Sequence, residues 1–266
     1  MPTPSPSPNQ RAHLNLVESS RRLFELDSGA AIEAEEGWLL GAGTPEHPVI
    51  SNAVFRIDDG VDATELIARA GDFFGERERR FSLWVRGEEA EDQDLLAAAT
   101  SAGMAQVYAM PEMVLSGRVE VPELPEGVEL RRLTAEDAGG RDFWEIAAVA
   151  YTDIGWPPEN FVVYKNQAGL AGDGIVAFIA YLDGKPVSIA MTIVSHGVAG
   201  VYWVGTLPEA RGKGLARALT AAATNAGFDL GAEVASLQAS PMGKPIYEAM
   251  GYETIFSYRL LMSAAP

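Results

Sequence analysis

The feature that most constrains the fold is residues 201–216, where a β-forming run is followed by a glycine-rich turn and then by a helical pattern. Glycines at 212 and 214 let the backbone approach a ligand closely, and the amide N–H groups and dipole at a helix start attract an anion. Arg211 and Lys213 add positive charge. The segment therefore predicts a phosphate-binding turn between a strand and a helix; the alternative is a well-capped helix that binds no ligand.

Two familiar nucleotide-binding patterns do not fit this turn. Gly212 and Gly214 begin a GxGxxG pattern, but Arg217 stands at the third glycine position, and residues 207–211 separate the strand from the first glycine. A dinucleotide fingerprint needs a tight turn there. No GxxxxGK[ST] sequence occurs, because the other Gly-Lys pairs are each followed by proline. The spacing argues against both a Rossmann site and a P-loop.

The composition excludes several classes of chemistry. The 266-residue chain has no cysteine, which excludes disulfides, thiolate metal sites and a cysteine nucleophile. Its three histidines are too scattered for a metal site, so we expect no metal. The formal net charge of −17 argues against nucleic acid as a partner. No apolar run reaches the about 18 residues of a membrane span, and the first ten residues lack a signal region, so we expect a cytoplasmic protein without membrane contact.

Proline positions and composition shifts divide the chain. Residues 1–11 are rich in proline and serine and are predicted to form a disordered tail. Two prolines interrupt residues 119–127, which are predicted to be a linker. Residues 12–118 and 128–266 each alternate helical and β patterns. The sequence therefore predicts two α/β domains.

Hydrophobic periodicity and turn residues predict the elements of each domain. In the first domain we expect helices at 12–26, 63–77 and 94–102 and strands at 37–40, 52–57, 81–85 and 110–115. In the second we expect helices at 135–151, 158–167, 214–226 and 242–250, strands at 128–133, 174–182, 187–195, 198–206 and 234–239, and a final pair of strands that ends near residue 262.

The final elements of the two halves follow the same order, which indicates an internal repeat. An offset of 153 residues places strand 81–85 on 234–238. An offset of 148 residues places Gly103 on Gly251, with the difference absorbed by a shorter connection. A duplicated α/β unit explains both offsets.

Two blocks of the second half resemble the GCN5-related N-acetyltransferases, the GNAT family. That family has an acetyl-CoA motif, [R/Q]-x-x-G-x-[G/A], after a strand that ends in V-x-x-x-P, and residues 204–216 match both parts. It also has a tyrosine four residues before a Gly-aromatic pair, here Tyr247 before Gly251. The resemblance covers residues 128–262 well and 12–116 in outline. It implies two GNAT-like domains in tandem, each a mixed, mostly antiparallel sheet flanked by helices.

The resemblance implies that acetyl-CoA is the cosubstrate. Strand 198–206 would separate from the next strand, so that backbone groups of Val204 and Thr206 bond the pantetheine amides, and an amide near Val204 or Gly205 would polarise the thioester carbonyl. Ser240 stands where many relatives have an asparagine that faces pantetheine. The pyrophosphate would lie on a turn formed by Arg211, Gly212, Lys213, Gly214, Leu215 and Ala216.

By the same resemblance, a neutral amine attacks the thioester directly in a ternary complex, and Tyr247 is the catalytic residue that faces the departing thiolate. No Glu or Asp occurs within 198–206, which excludes a base on that strand. Deprotonation would fall to a water chain or to Asp153 or Glu159, which flank Trp156 in a stretch that borders the acceptor in the family. Each acid has an alternative role as a solvated or helix-capping residue.

The N-terminal half is predicted to lack a CoA site. An unscreened like charge near a diphosphate costs on the order of 1 to 4 kcal/mol at 4 Å. At the offset of 153, acids replace the phosphate-binding residues: Asp58, Asp59 and Asp62 correspond to Arg211, Gly212 and Leu215.

The leading functional prediction is an N-acetyltransferase that acts on a primary amine of a small molecule or a protein, as a monomer or homodimer. One alternative is a non-catalytic module that binds acyl-CoA, in which the missing strand acid reflects lost catalysis. Another is a tandem enzyme for a larger amine conjugate. The presence of Tyr247 favours an enzyme.

Overall fold

The computed structural model describes residues 6–87, 91–134, 140–164 and 169–264. The chain forms two compact units. The large unit consists of Met1–Leu16 and Met113–Glu253, and the small unit consists of Val17–Glu112 and Thr254–Pro266. Each unit is therefore assembled from two separate stretches of sequence, whereas the sequence analysis predicted two continuous domains.

The elements of the first half of the chain follow the predicted order, with one additional strand. They are α1 (Pro8–Leu26), β1 (Ala31–Glu35), β2 (Trp38–Ala42), β3 (Asn52–Arg56), α2 (Ala63–Gly75), β4 (Ser82–Arg86), α3 (Gln93–Ser101) and β5 (Ala105–Leu115). The strand β1 was not predicted, because its Ala-Ile-Glu-Ala-Glu sequence has few β-forming residues.

The second half follows the predicted order up to its final strand, with two exceptions. A two-residue strand at Ala171–Gly172 was not predicted, and the described part of the predicted helix 158–167 is a 3-10 helix. Its elements are β6 (Val128–Arg132), α4 (Arg141–Ala150), β7 (Ala171–Gly172), β8 (Ile175–Leu182), β9 (Lys185–Ser195), β10 (Val198–Thr206), α5 (Leu215–Asp229), β11 (Val234–Gln238), α6 (Lys244–Ala249) and β12 (Glu253–Met262), with short 3-10 helices at Thr152–Ile154, Pro158–Tyr164 and Pro208–Ala210. The predicted helices over 135–151 and 158–167 extend in part beyond the described residues.

Two predictions near the ends of the chain are wrong. Helix α1 begins at Pro8, so residues 8–11 of the predicted disordered tail are helical. Residues 1–5 of that tail lie outside the described residues. Proline is tolerated in the first turn of a helix, where its missing N–H has no partner to lose. The predicted final pair of strands is the single strand β12, since no glycine or proline interrupts its ten residues.

The N-terminal part of α1 belongs to the large unit through a buried asparagine. The Asn15 side-chain amide donates hydrogen bonds to the carbonyl oxygens of Ile193 and Val198, both at 3.0 Å. Its side-chain oxygen accepts a hydrogen bond from the Tyr202 hydroxyl at 2.6 Å. A Cβ atom on Gly200 would clash with that oxygen, so glycine is required there. These contacts fix the start of α1 on the hairpin of β9 and β10.

The two units repeat one arrangement of strands and helices. In the small unit, β2 and β3 are antiparallel, α2 follows β3, and β4 pairs parallel to β3. In the large unit, β9 and β10 are antiparallel, α5 follows β10, and β11 pairs parallel to β10. The predicted duplication is therefore present. The caps of the equivalent helices, Asp62 and Gly214, differ by 214 − 62 = 152 residues, so the predicted offset of 153 is one residue too long at this turn.

Each unit has its own apolar core. In the large unit, α5 packs against β9 and β10, and its buried face includes Leu219 and Ala223. In the small unit, α2 and α3 pack together around Leu66 and Leu95. In the part of the chain that the structure describes, no helix is both long enough and apolar enough to cross a membrane.

The small unit contains a buried network of charged side chains. The Arg86 Nε atom lies 2.8 Å from Asp92 Oδ2, and the Arg56 guanidinium contacts the same carboxylate at 2.5 Å. Arg56 also pairs with Asp94 at 2.6 Å, and Arg86 pairs with Asp59. Burial raises the pKa of Asp92, but hydrogen bonds and charge from Arg86 and Arg56 outweigh it and lower that pKa to about 2.

We expect the small unit to lose about 2 kcal/mol of stability as the pH falls from about 5 to 2. The pKa of Asp92 is lower in the folded protein than its ordinary value of about 4, so the ionised carboxylate stabilises the folded state above that pH. This stabilisation is lost at lower pH, as the carboxylate is protonated. Hydrogen exchange of the β4 amides measures this loss within the small unit. Asp92→Asn should flatten the acid dependence, whereas Asp72→Asn, on the exposed face of α2, should keep it.

Candidate active site

Strand β10 contains a β-bulge at the centre of the large unit. Tyr202 pairs with Met191 and Gly205 with Ile189, so Trp203 and Val204 together oppose one residue of β9. Trp203 has a φ of +56°, a conformation that is uncommon for a residue with a side chain. Such a bulge bends the strand and redirects its side chains.

The bend separates β10 from β11. The two strands are paired only where residues 198–200 of β10 face residues 234–236 of β11, although β10 continues to Thr206 and β11 to Gln238. Val204 and Thr206 lie beyond this paired part of β10. Backbone groups in this part of β10 have no strand partner on the β11 side, and they are thus able to bond an extended ligand.

The turn after β10 presents unpaired amides at the start of α5. Gly212 and Gly214 have φ values of +77° and +78°, and a Cβ on either would meet nothing within 4 Å. Residues 211–214 are exposed. The first helical hydrogen bond runs from the Ala218 amide to the Gly214 carbonyl, at 3.1 Å. Among the described residues nothing accepts a hydrogen bond from the amides of 212–217. Unpaired amide donors at a helix start are favourable for an anion.

Arg211 connects this turn to the segment that follows α4. Its Nη1 atom lies 2.5 Å from the Asp153 carboxylate, and its Nε atom donates to the Thr206 carbonyl oxygen at 3.1 Å. Both charged side chains remain partly exposed, by 38% for Arg211 and 45% for Asp153. Lys213 is exposed on the same turn. The structure thus brings together one residue of the predicted pyrophosphate turn and one of the predicted acceptor-side acids.

Tyr247 lies on α6 and is 8% exposed. Its hydroxyl makes no hydrogen bond within the described ranges. Burial raises the pKa of Tyr247 to about 12, so the hydroxyl keeps its proton at any ordinary pH. A Cβ on Gly243 would lie 2.7 Å from the Tyr247 ring, which therefore requires the glycine. A neutral phenol in this environment is a hydrogen-bond donor, not a base.

Ser240 has a local structural contact. Its hydroxyl oxygen accepts a hydrogen bond from the Gly243 amide at 3.1 Å, which stabilises the turn before α6. Its predicted contact with pantetheine stays a prediction.

An aromatic cluster surrounds the bulged Trp203. The Trp203 ring centroid lies 5.4 Å from that of Trp144, 5.3 Å from Tyr151, 5.9 Å from Trp156 and 5.8 Å from Phe161. Trp144 and Phe161 are buried, whereas Tyr151, Trp156 and Trp203 are only partly buried. We call these five residues the aromatic cluster; Asp153 lies between two of them, Tyr151 and Trp156, in the sequence.

Sequence reasoning missed Tyr151. Its ring lies 3.5 Å from where a Cβ on Gly205 would be, so it covers the bulged strand. Burial, and next the neighbouring Tyr247, raise the pKa of Tyr151 well above its ordinary value. Its position at the end of α4 was visible in the sequence, but the fold alone places it next to β10. Glu159 is exposed and forms no hydrogen bond or ion pair within the described part of the chain, so it is not brought to Arg211.

The equivalent turn of the small unit is filled by its own side chains. Asp62 caps α2 by accepting hydrogen bonds from the amides of Thr64 and Glu65, both at 2.9 Å. With the offset of 152, these amides correspond to those of Ala216 and Arg217, which are unpaired in the large unit. The corrected alignment places Asp59, Gly60 and Ala63 opposite Arg211, Gly212 and Leu215, in place of the predicted Asp58, Asp59 and Asp62.

Residues 159–254 match the family model of the acetyltransferase (GNAT) domain. The chain contains a GNAT acetyltransferase domain. The matched range includes the bulge, the glycine turn and Tyr247, and the GNAT motifs predicted from the sequence fall within it. Among the described residues no group of three or more His, Asp or Glu side chains is arranged to hold a metal ion.

Curated relatives of this chain include two mycothiol acetyltransferases. The protein from Actinosynnema mirum is 29% identical over 154 residues, which cover 55% of this chain and 50% of the relative. The protein from Thermobispora bispora is 32% identical over 190 residues, which cover 64% of this chain and 61% of the relative. The chain thus spans between half and about three fifths of the length of these relatives. Both similarities support an acyltransferase.

Solved structures confirm the fold. A GCN5-related N-acetyltransferase from Kribbella flavida superimposes with a TM-score of 0.73 at 22% identity, over 98% of this chain and 97% of the other. A tandem GNAT protein from the clavulanic acid biosynthesis pathway superimposes with a TM-score of 0.64 at 15% identity, over 95% of this chain and 96% of the other. The predicted α/β fold with GNAT-like domains in tandem is therefore correct.

Proposed function

We propose that the chain is an acetyl-CoA-dependent N-acetyltransferase that transfers an acetyl group to a primary amine. The observation that carries this proposal is that β10 loses its pairing with β11 beyond residue 200 and is followed by a turn whose amides at the start of α5 are unpaired. An extended molecule with a polar chain at one end and a pyrophosphate at the other matches that arrangement.

The residues present fit acetyl-CoA. The amides of 212–216, with Arg211 and Lys213, offer donors and positive charge for the pyrophosphate. Val204 and Thr206 lie beyond the part of β10 that pairs with β11, and their backbone groups are proposed to bond the pantetheine amides. When bound, acetyl-CoA supplies the activated acetyl group as a thioester. A strand amide near Val204 or Gly205 would stabilise negative charge on the carbonyl oxygen.

Tyr247 is proposed as the donor that stabilises the departing thiolate. Its pKa of about 12 lies about 3.5 units above that of a free thiol, so complete transfer of its proton would be uphill by about 5 kcal/mol. A hydrogen bond to the developing thiolate has no such cost. The role is therefore donation of a hydrogen bond without full proton transfer.

We propose that the amine reaches the site already neutral or loses its proton through water. The residues of β10 include no acid, Asp153 is paired with Arg211, and Glu159 is exposed. The missing strand acid also favours a second candidate, a non-catalytic module that binds acyl-CoA. A panel of primary amines separates the two, because the module would bind acetyl-CoA without forming any acetylated amine.

Calorimetric titration of acetyl-CoA should give one site per chain. The turn of the large unit has unpaired amides, whereas Asp62 already occupies the amides of the equivalent turn in the small unit. No binding by the wild type would contradict the proposed function. Two sites per chain would show instead that a ligand displaces the Asp62 carboxylate.

A further inference from the structure

Tyr151, at the end of α4, lies on the face of the sheet opposite to α5. Its ring covers Gly205, at 3.5 Å from the position of a Cβ on that glycine, and Gly205 pairs with Ile189 of β9. Helix α5 packs against Ala199 of β10, which pairs with Val194 of β9. The two β9 residues are 194 − 189 = 5 positions apart. Residues an odd number apart on a strand lie on opposite faces, so Tyr151 and α5 do as well.

Tyr247 lies on the α5 face and yet interacts with Tyr151. The Tyr247 ring centroid is 6.1 Å from that of Tyr252, whose hydroxyl shares a 2.6 Å hydrogen bond with Thr224 of α5, and Tyr247 belongs to the same apolar core as Leu219. Burial, and next the charge of Tyr247, raise the pKa of Tyr151, so the two phenols are close to each other. Groups on opposite faces of a sheet meet where the sheet is open. That opening is the unpaired part between β10 and β11.

Both phenol hydroxyls are available to a ligand at this opening. Within the described part of the chain, the Tyr151 and Tyr247 hydroxyls form no hydrogen bond, either with each other or with another group. Neither hydroxyl is fully enclosed, in contrast to the indole N–H of Trp144, which is buried without a hydrogen-bond partner among the described residues. Burial keeps both phenols protonated at ordinary pH, so each is able to donate one hydrogen bond.

Resting on the proposed function, we propose that Tyr151 is a second catalytic residue, whose hydroxyl donates a hydrogen bond to the sulfur of CoA alongside that of Tyr247. In the transfer, the amine nitrogen bonds to the thioester carbon, the carbon–sulfur bond breaks, and its electron pair stays on the sulfur. The proton that the amine loses goes to water, and neither phenol gives up its own. Two charge-assisted hydrogen bonds, one from each face of the sheet, then stabilise the thiolate without an uphill proton transfer.

The first test measures the pKa of the CoA thiol in the complex with the protein. The chain has no cysteine, so the Raman S–H band of the complex belongs to CoA alone, and its loss with rising pH titrates that thiol. Tyr151→Phe keeps the ring over Gly205 and removes only the hydroxyl. We expect this variant to raise the thiol pKa by about one unit or more relative to the wild type, because the thiolate loses a charge-assisted hydrogen bond. Tyr247→Phe should raise it similarly.

Tyr252→Phe is the matched control for this titration. It removes another phenol hydroxyl next to Tyr247, but one that is already bonded to Thr224, so the thiol pKa should stay at the wild-type value. Desulfo-CoA, which lacks the sulfur, should bind to the wild type and to Tyr151→Phe with the same affinity in calorimetry. An unchanged thiol pKa in Tyr151→Phe, an equal rise in Tyr252→Phe, or weaker binding of desulfo-CoA by Tyr151→Phe would overturn the inference.

The second test measures turnover of an acetylated amine. Tyr151→Phe should lower kcat by about 10-fold or more and change the KM for acetyl-CoA by less than about 2-fold, because the hydrogen bond strengthens only as charge develops on the sulfur. A wild-type kcat in Tyr151→Phe would overturn the catalytic role. Failure of the proposed function has a different signature, since the wild-type chain would then bind no CoA, or would bind it and acetylate no amine. In the second case the thiol titration still tests Tyr151.

Discussion

Replacing Gly214 by valine should weaken acetyl-CoA binding by at least about 100-fold. The residue has a φ of +78° and its Cβ would project into the open space in front of the amides of α5. A branched side chain there would keep a pyrophosphate from these amides, and two lost charge-assisted hydrogen bonds account for a factor of this size. Calorimetric titration of acetyl-CoA into the variant measures the loss.

Gly231→Val is the matched control for Gly214→Val. Gly231 also has a positive φ, +90°, and open space around its Cβ position, but it lies past the other end of α5. Valine at either position costs on the order of 1 to 2 kcal/mol of stability through backbone strain. Only the Gly214 variant should lose binding, and equal losses in both would trace the effect to stability and not to the turn.

Tyr247→Phe should lower kcat by 10-fold or more. Removing one hydrogen-bond donor to a transition state typically lowers kcat by about 10²- to 10³-fold. The affinity for acetyl-CoA should change little, because the hydroxyl acts on the leaving group. Since burial raises the pKa of Tyr247 to about 12, the wild-type rate should show no titration of this group between pH 6 and 10. A steady-state pH profile of both proteins on an acetylated amine provides the measurement.

Tyr252→Phe controls for the loss of a buried hydroxyl. The Tyr252 hydroxyl shares a 2.6 Å hydrogen bond with Thr224, so its removal should cost about 1 kcal/mol of stability and leave kcat unchanged. An unchanged kcat in Tyr247→Phe as well would remove Tyr247 from the mechanism.

The local parts of the site were predictable from sequence. The positive φ values of Gly212 and Gly214 follow from a turn that only glycine forms easily, and β10 has the predicted bounds because six of its nine residues are valine, aromatic or threonine. The bulge at Trp203 was not predictable. An alternating pattern shows that a strand exists, but it does not show where an extra residue enters the ladder.

Contacts between distant parts of the sequence were also beyond prediction. Arg211 and Asp153 are 58 residues apart, and Asn15 lies 187 residues from Tyr202, so no local pattern connects either pair. Asp153 was predicted as an acceptor-side residue, but its ion pair was not. The offset of the repeat was wrong by one residue because strand 81–85 was predicted to begin one residue early; β4 begins at Ser82 and β11 at Val234, which are 234 − 82 = 152 residues apart.

The assembly of each unit from two stretches of sequence has a consequence for synthesis on the ribosome. β12 pairs with β4 of the small unit, yet 166 residues separate Arg86 from Glu253. Until the last strand emerges, that edge of β4 has unpaired backbone groups, and Arg259 and Leu261 have not yet reached Val85 and Leu83. The small unit therefore cannot finish folding first, although most of it is translated first. A ribosome that stalls within the GNAT domain would leave a nascent chain with an exposed strand edge, which is a target for chaperones and for aggregation.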